Sequence, residues 1–169
     1  MSVSTADFKG ALANLAGGVV IVTTRDPEGR AHGMTATAVC SVSLDPPLVM
    51  ACMSHETATF RAVRASGVFA LNILPAASAG LAGRFATSGD DKFTGLETAG
   101  GPTGSPILVE ALAHCDCAVE SVVEAGDHTI FIGRVLEAVS PDERYPPLLY
   151  FRGEYGSLAP LVPEEDEGE

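Results

Sequence analysis

Phe8, Leu12 and Leu15 recur at helical spacing across Thr5 to Leu15, with Ser4 or Thr5 placed to cap the start, so the pattern predicts a short amphipathic helix. The run Val19-Val20-Ile21-Val22-Thr23-Thr24 is β-branched throughout and stops at Asp26-Pro27-Glu28-Gly29, which has the composition of a turn. His32 to Val42 and Leu48 to Met53 each predict a strand, and the two prolines of Leu44-Asp45-Pro46-Pro47 keep them apart. Thr57 to Ala65 predicts a helix with Phe60 and Val63 facing inward, closed by Ser66-Gly67 before a strand over Val68 to Leu74.

A second helix is expected over Ala77 to Phe85. From Ser88 to Ser105 the chain is rich in Gly, Ser, Thr and Asp, which predicts a surface excursion rather than core. Strand character returns in Ala113 to Val123 and Thr129 to Val139, on either side of Glu124-Ala125-Gly126-Asp127, and again in Leu148 to Phe151. Many short strands with few helices, and no regular alternation of strand and helix, predict a mainly β, antiparallel barrel. No Gly-x-Gly-x-x-Gly follows the first strand, which argues against a Rossmann dinucleotide domain.

A length of 169 residues with 46% hydrophobic content suits one domain with a substantial core, here expected over 1–163. Ten Lys and Arg against 22 Asp and Glu give a formal charge of −12, the wrong sign for a general nucleic-acid or acidic-membrane surface. Part of that charge is local. The last six residues, 164–169, hold five of the acids and predict a solvated, disordered tail. The first 14 residues have no signal-peptide core, and no apolar stretch is long enough to span a bilayer, so a cytoplasmic protein is expected. Cys40, Cys52, Cys115 and Cys117 sit in strand-like apolar surroundings and read as reduced core residues. Cys115 and Cys117 share a strand face but have no second ligand pair for zinc, and no metal is expected.

Four segments have residues suited to chemistry. His32-Gly33-Met34-Thr35-Ala36-Thr37-Ala38 combines small side chains with two hydroxyls, which lets a flat ligand approach the backbone and equally lets a strand pack under a neighbour. Ser54-His55-Glu56-Thr57-Ala58-Thr59 precedes a helix, where hydroxyls and free N–H groups can hold a phosphate, or where Thr57 is simply an N-cap. Phe85 to Phe93 brackets Lys92, one of two lysines in the chain, and reads as a charged lid or as a solvated loop anchored by its phenylalanines. Gly126-Asp127-His128 lies at the tip of two strands, where His128 can face a ligand, although a lone histidine is often structural.

Taken together, Gly18 to Thr24, His32 to Ala36, Ser41 to Pro47, Asp91-Lys92-Phe93, Gly126-Asp127-His128 and Gly153-Glu154-Tyr155 resemble, in order and spacing, the short-chain flavin reductase family. Nearly the whole chain takes part. The resemblance implies an FMN-binding split barrel of antiparallel Greek-key type, a homodimer, and reduction of FMN or FAD by NADH, or less often NADPH, for use by a separate monooxygenase. It sets Thr35, Ala36, Thr37 and Ala38 beside the isoalloxazine, and Ser54, Thr57 and Thr59 toward the ribityl phosphate. Cys52, Met53, Phe85 and Phe93 complete the expected flavin-binding set. Lys92 is implied to meet phosphate or nucleotide charge, and His128 with Tyr155 to border the nicotinamide approach, with His128 positioning the ring rather than moving a proton. Gly17 stands where the family often has Thr, and Thr37 where Asn or Ser is common. A non-catalytic flavin-binding or electron-carrying protein is the alternative that these residues also admit.

Overall fold

A computed structural model describes residues 3–89, 91–141 and 145–159. In chain order the elements are α1 (Thr5–Leu12), β1 (Gly17–Gly18), β2 (Val20–Arg25), β3 (Ala31–Ala36), β4 (Val39–Leu44), β5 (Pro47–Ser54), α2 (Ala58–Ser66), β6 (Val68–Ile73), a 3-10 turn (Ala76–Ser78), α3 (Ala79–Ala86), β7 (Thr98–Gly100), β8 (Pro106–Leu108), β9 (Ala113–Ala125), β10 (His128–Val139), β11 (Leu149–Phe151) and β12 (Glu154–Gly156).

Seven strands form one sheet in the order β3-β2-β6-β9-β10-β5-β4, and every pairing is antiparallel. Its two outermost strands, β3 and β4, are joined by only Thr37 and Ala38, so the sheet curls round on itself at that corner, while the two strands do not pair with each other and β3 keeps an open edge. The Cys52 amide donates to the Ala38 carbonyl at 2.9 Å across that junction. The antiparallel barrel expected from the strand pattern is therefore present. The single strand expected over His32 to Val42 is instead two strands, because the chain must cross between sheet edges at Thr37-Ala38.

Strand β2 explains the uninterrupted apolar run. Val20 and Val22 point into a core shared with Met53, Phe69 and Phe131, whereas Val19 and Ile21 face a second core with Leu74 and Phe85. Helix α2 contributes Phe60 and Val63 to the first core, and α3 contributes Ala82 and Phe85 to the second. Thus β3, beside β2 at the sheet edge, is held between the two helices. Helix α3 begins after the 3-10 turn rather than at Ala77.

The excursion after α3 is tied down by buried polar groups. Asn72 donates to the Ile21 carbonyl and to Thr23 Oγ1, both at 3.0 Å, and accepts from the Leu108 amide at 2.8 Å. Asp116, fully buried, accepts from the Thr103 amide at 2.7 Å and its hydroxyl at 2.6 Å. Full pairing is what makes these groups tolerable away from water.

Helix α1 stops at Leu12, and Phe8, Leu12 and Leu15 are 59%, 47% and 71% exposed, so among the described residues its apolar stripe is left largely uncovered. Nor are all cysteines core residues: Cys117 is buried, Cys52 and Cys115 are partly so, and Cys40 is exposed, all with free thiols. Cys40 lies on β4, an edge strand with mostly exposed residues. The acidic tail at 164–169 lies outside the described residues. Among the described residues no helix is long and apolar enough to cross a membrane.

Candidate functional site

The open edge of β3 forms one side of a cleft of about 1010 Å³. Lys92 Nζ reaches the Gly33 carbonyl at 3.1 Å, which identifies the outward-facing backbone groups of this strand. By strand alternation those of Ala31 and Thr35 point the same way. Gly33 is required here by space: a Cβ on it would lie 2.5 Å from Phe85 Cε1 and 3.2 Å from Phe93 Cζ. The two rings meet edge to face, with centroids 5.1 Å apart, and form an apolar wall.

Lys92 also donates to the Phe85 carbonyl at 3.2 Å, and burial lowers its ammonium pKa. Arg84 donates to the Asp91 and Thr94 carbonyls, each at 2.7 Å. Residues 91–94 are therefore fastened to β3 and α3 by two cations and the Phe85–Phe93 pair.

The start of α2 lines another side. Thr57 is its N-cap: the hydroxyl accepts from the Phe60 amide at 3.1 Å and donates to the Ser54 carbonyl at 3.0 Å. The first-turn amides of Ala58 and Thr59 have no intrahelical acceptor by helix geometry, so they remain a place for an anion. Arg61, one turn on, lines the same cleft, as do Arg25 and Arg30 from the β2–β3 turn. In a chain of charge −12 this is a local concentration of positive groups. Asp26 anchors that turn, accepting from Arg30 Nε at 2.8 Å and lying 2.9 Å from His32 Nε2. Hydrogen bonding with His32, and then with Arg30, holds its carboxyl far below the usual carboxylate range, although burial works in the opposite sense.

A smaller cleft of about 200 Å³ lies beside the first, with Thr35 lining both; Ala36, Thr37, Tyr150 and Tyr155 complete its polar and aromatic rim. The tyrosine ring centroids are 5.4 Å apart. Of the residues singled out in the sequence, Thr35, Ser54, Thr57, Thr59, Phe85, Lys92 and Phe93 line the large cleft, and Ala36, Thr37 and Tyr155 the small one. Thr59 is nonetheless 2% exposed, and Met53 is fully buried in the barrel core. Ala38 and Cys52 meet through their backbones at the sheet junction, and burial raises the Cys52 thiol pKa.

His128 lines neither cleft, but it stands opposite Ser54 in the β10–β5 register, at the rim of the large one. Its Nδ1 is 2.7 Å from Asp127 Oδ1, and this hydrogen bond lowers the Asp127 pKa. Arg25, Arg30 and Tyr150 lie outside the segments singled out in the sequence for chemistry, and Gly33 belongs to the small-residue segment His32 to Ala38 but not to the expected flavin contacts. Small size inside a strand was a signal for Gly33; nothing local distinguishes the arginines from solvated surface charges.

A flat ring with a polar edge fits the β3 backbone and the aromatic wall, and a phosphate fits the open amides of α2. This arrangement is that of a nucleotide-binding split barrel. Residues 12–159 match the flavin reductase like domain, and the chain belongs to that family. It is 39% identical over 163 residues to NADH:riboflavin 5'-phosphate oxidoreductase of Streptomyces pristinaespiralis, covering 96% of this chain and 93% of that protein. It is 37% identical over 153 residues to HsaB, the reductase subunit of a flavin-dependent monooxygenase of Rhodococcus jostii, covering 90% and 77%. Among solved structures, the NADH:FAD oxidoreductase of Streptomyces globisporus in complex with NAD and FAD fragments superposes with a TM-score of 0.86 at 31% identity, covering 96% of this chain and 99% of that one.

Proposed function

We propose that this protein is an NAD(P)H-dependent flavin reductase that reduces FMN or FAD and supplies the product to a separate monooxygenase. The observation that carries the reading is the open backbone edge of β3, set between the Phe85–Phe93 wall and the start of α2. When nicotinamide and flavin are bound together, a hydride passes from nicotinamide C4 to flavin N5, the rings themselves supplying the electronic change.

The residues of this chain bind and orient. Backbone groups along Thr35 to Ala38 receive the polar edge of the isoalloxazine and offset charge developing there. Ser54 and the α2 amides, with Arg61 nearby, receive the phosphate. His128 and Tyr155 border the nicotinamide approach, and no side chain is needed as an acid or base. A diffusible product also has to leave, and a cleft open to solvent permits that.

Assembly as a homodimer in the cytoplasm belongs to the same reading. The apolar stripe of α1, and Leu44 at 94% exposure, give a second copy apolar surface to cover. Steady-state oxidation of NADH and NADPH with FMN, FAD and riboflavin tests the activity. Turnover with at least one pair is expected; flavin binding without turnover in every combination would identify a carrier instead.

A further inference from the structure

Three segments that border the site meet at His55: the turn Ser54–Thr57 before α2, the first turns of α2, and the β9–β10 tip that presents His128. Thr129 Oγ1 donates to Glu124 Oε2 at 2.9 Å, a carboxylate that can only accept. The Thr129 hydroxyl has one proton, so in its 2.8 Å contact with His55 Nε2 it is the acceptor and His55 the donor. Nε2 therefore carries a proton, and Glu124 Oε2 lies 3.4 Å from it.

Other bonds fix the same residue. The His55 amide donates to the Asp127 carbonyl at 3.1 Å, and its ring packs on Phe60 with centroids 4.9 Å apart. Phe60 belongs to the barrel core. Arg64 of α2 pairs with the other oxygen of Glu124, and Arg61 donates to the His55 and Glu56 carbonyls at 3.5 and 3.3 Å. Asp127, whose carbonyl His55 holds, is the residue whose carboxylate orients His128.

We propose that His55 is a positioning residue: its ring locks the hairpin tip carrying His128 onto the turn that opens α2, so that the nicotinamide side and the phosphate side of the site move as one body. The inference rests on the placement of His128 proposed above. His55 itself touches no substrate in this scheme. It acts through the main chain at Asp127 and through the Thr129–Glu124 pair.

The test compares His55→Ala, Thr129→Val and the double variant with wild type and with Arg134→Gln. The last breaks an equally close ion pair on the same hairpin, to Glu120 at 2.7 and 2.8 Å, away from the tip. Both single variants should raise the NADH KM about fivefold to tenfold, with kcat and flavin Kd held within about twofold, because a tip no longer held in place lowers the fraction of protein ready to receive NADH without altering the chemistry once it is bound. The double variant should add little, since the two side chains share one interaction. His55→Gln, which keeps a side-chain N–H donor, should recover most of the loss. Without any ligand bound, amide exchange at residue 55, whose N–H holds the Asp127 carbonyl of the tip, and at His128 should quicken about tenfold in His55→Ala and stay unchanged in Arg134→Gln. An unchanged NADH KM, or no change in tip exchange, overturns the positioning role. Wild-type protein that oxidises neither NADH nor NADPH with any flavin overturns the reductase reading as well, and so separates the two failures.

Discussion

Gly33 and Phe85 approach so closely that a Cβ on the glycine would lie 2.5 Å from the ring carbon Cε1. The aromatic wall of the cleft is thus packed against bare backbone, and its position depends on a missing side chain. Gly33→Ala should cost about 1–3 kcal/mol, as overpacking usually does. It should also weaken flavin binding by displacing Phe85 and Phe93. Gly133→Ala is the control: its Cβ would meet Phe69 Cζ at 2.5 Å within the barrel core. It should lose similar stability with unchanged flavin affinity, as measured by denaturant unfolding and flavin titration.

Lys92 spends two of its donors on the carbonyls of Gly33 and Phe85. Lys92→Met should leave both without that donor and cost about 1–3 kcal/mol. Because the ammonium acts as a strap, FMN and riboflavin affinities should fall by the same factor. A loss confined to FMN would return Lys92 to a phosphate-binding role.

Phosphate recognition should instead depend on Arg61 and the α2 amides. Arg61→Gln should weaken FMN more than riboflavin, an effect that shrinks with added salt. Thr57→Ala should cost about 0.5–2 kcal/mol through the lost cap, with Thr57→Ser near wild type. Equal affinity changes for FMN and riboflavin in Arg61→Gln would remove that side chain from the phosphate site.

His128→Ala should raise the NADH KM or slow flavin reduction while flavin affinity stays comparatively intact. Stopped-flow reduction across NADH concentrations, beside equilibrium flavin titration, separates the two. Unchanged reduction with unchanged affinity would leave His128 a structural residue.

The Asp26 carboxyl is held below its unfolded value by His32 and Arg30, so the folded state favours the ionised form. Its contribution to stability is complete above the unfolded pKa of about 3.9 and is lost as pH falls toward the folded value. Asp26→Asn should therefore unfold more easily than wild type near neutrality, with the gap closing on acidification. Denaturant midpoints between about pH 7 and about pH 3 check the sign.

What the sequence by itself determined is local. The β-branched run at Val19 to Thr24, the Thr57 cap and the stop at Gly67 were legible because each rests on propensity or backbone freedom within a few residues. The strand break over Glu124 to Asp127 was legible as a tip, although the strands run on to Ala125 and from His128 and leave only Gly126-Asp127 as the turn. The order of motifs also pointed to the family and the barrel. The apolar stripe of α1 was legible as a pattern, but not that the described residues would leave it exposed. The break at Thr37-Ala38 had no local signal, since it exists only because a closing sheet must pass the chain between its edges. The site was decided in the same way. Lys92 reaches a carbonyl 59 positions away, and His55 meets a hydroxyl 74 positions away. Those bonds are set by strand register and sheet closure, which bring distant side chains within about 3 Å after folding, and no periodicity along the chain encodes that distance.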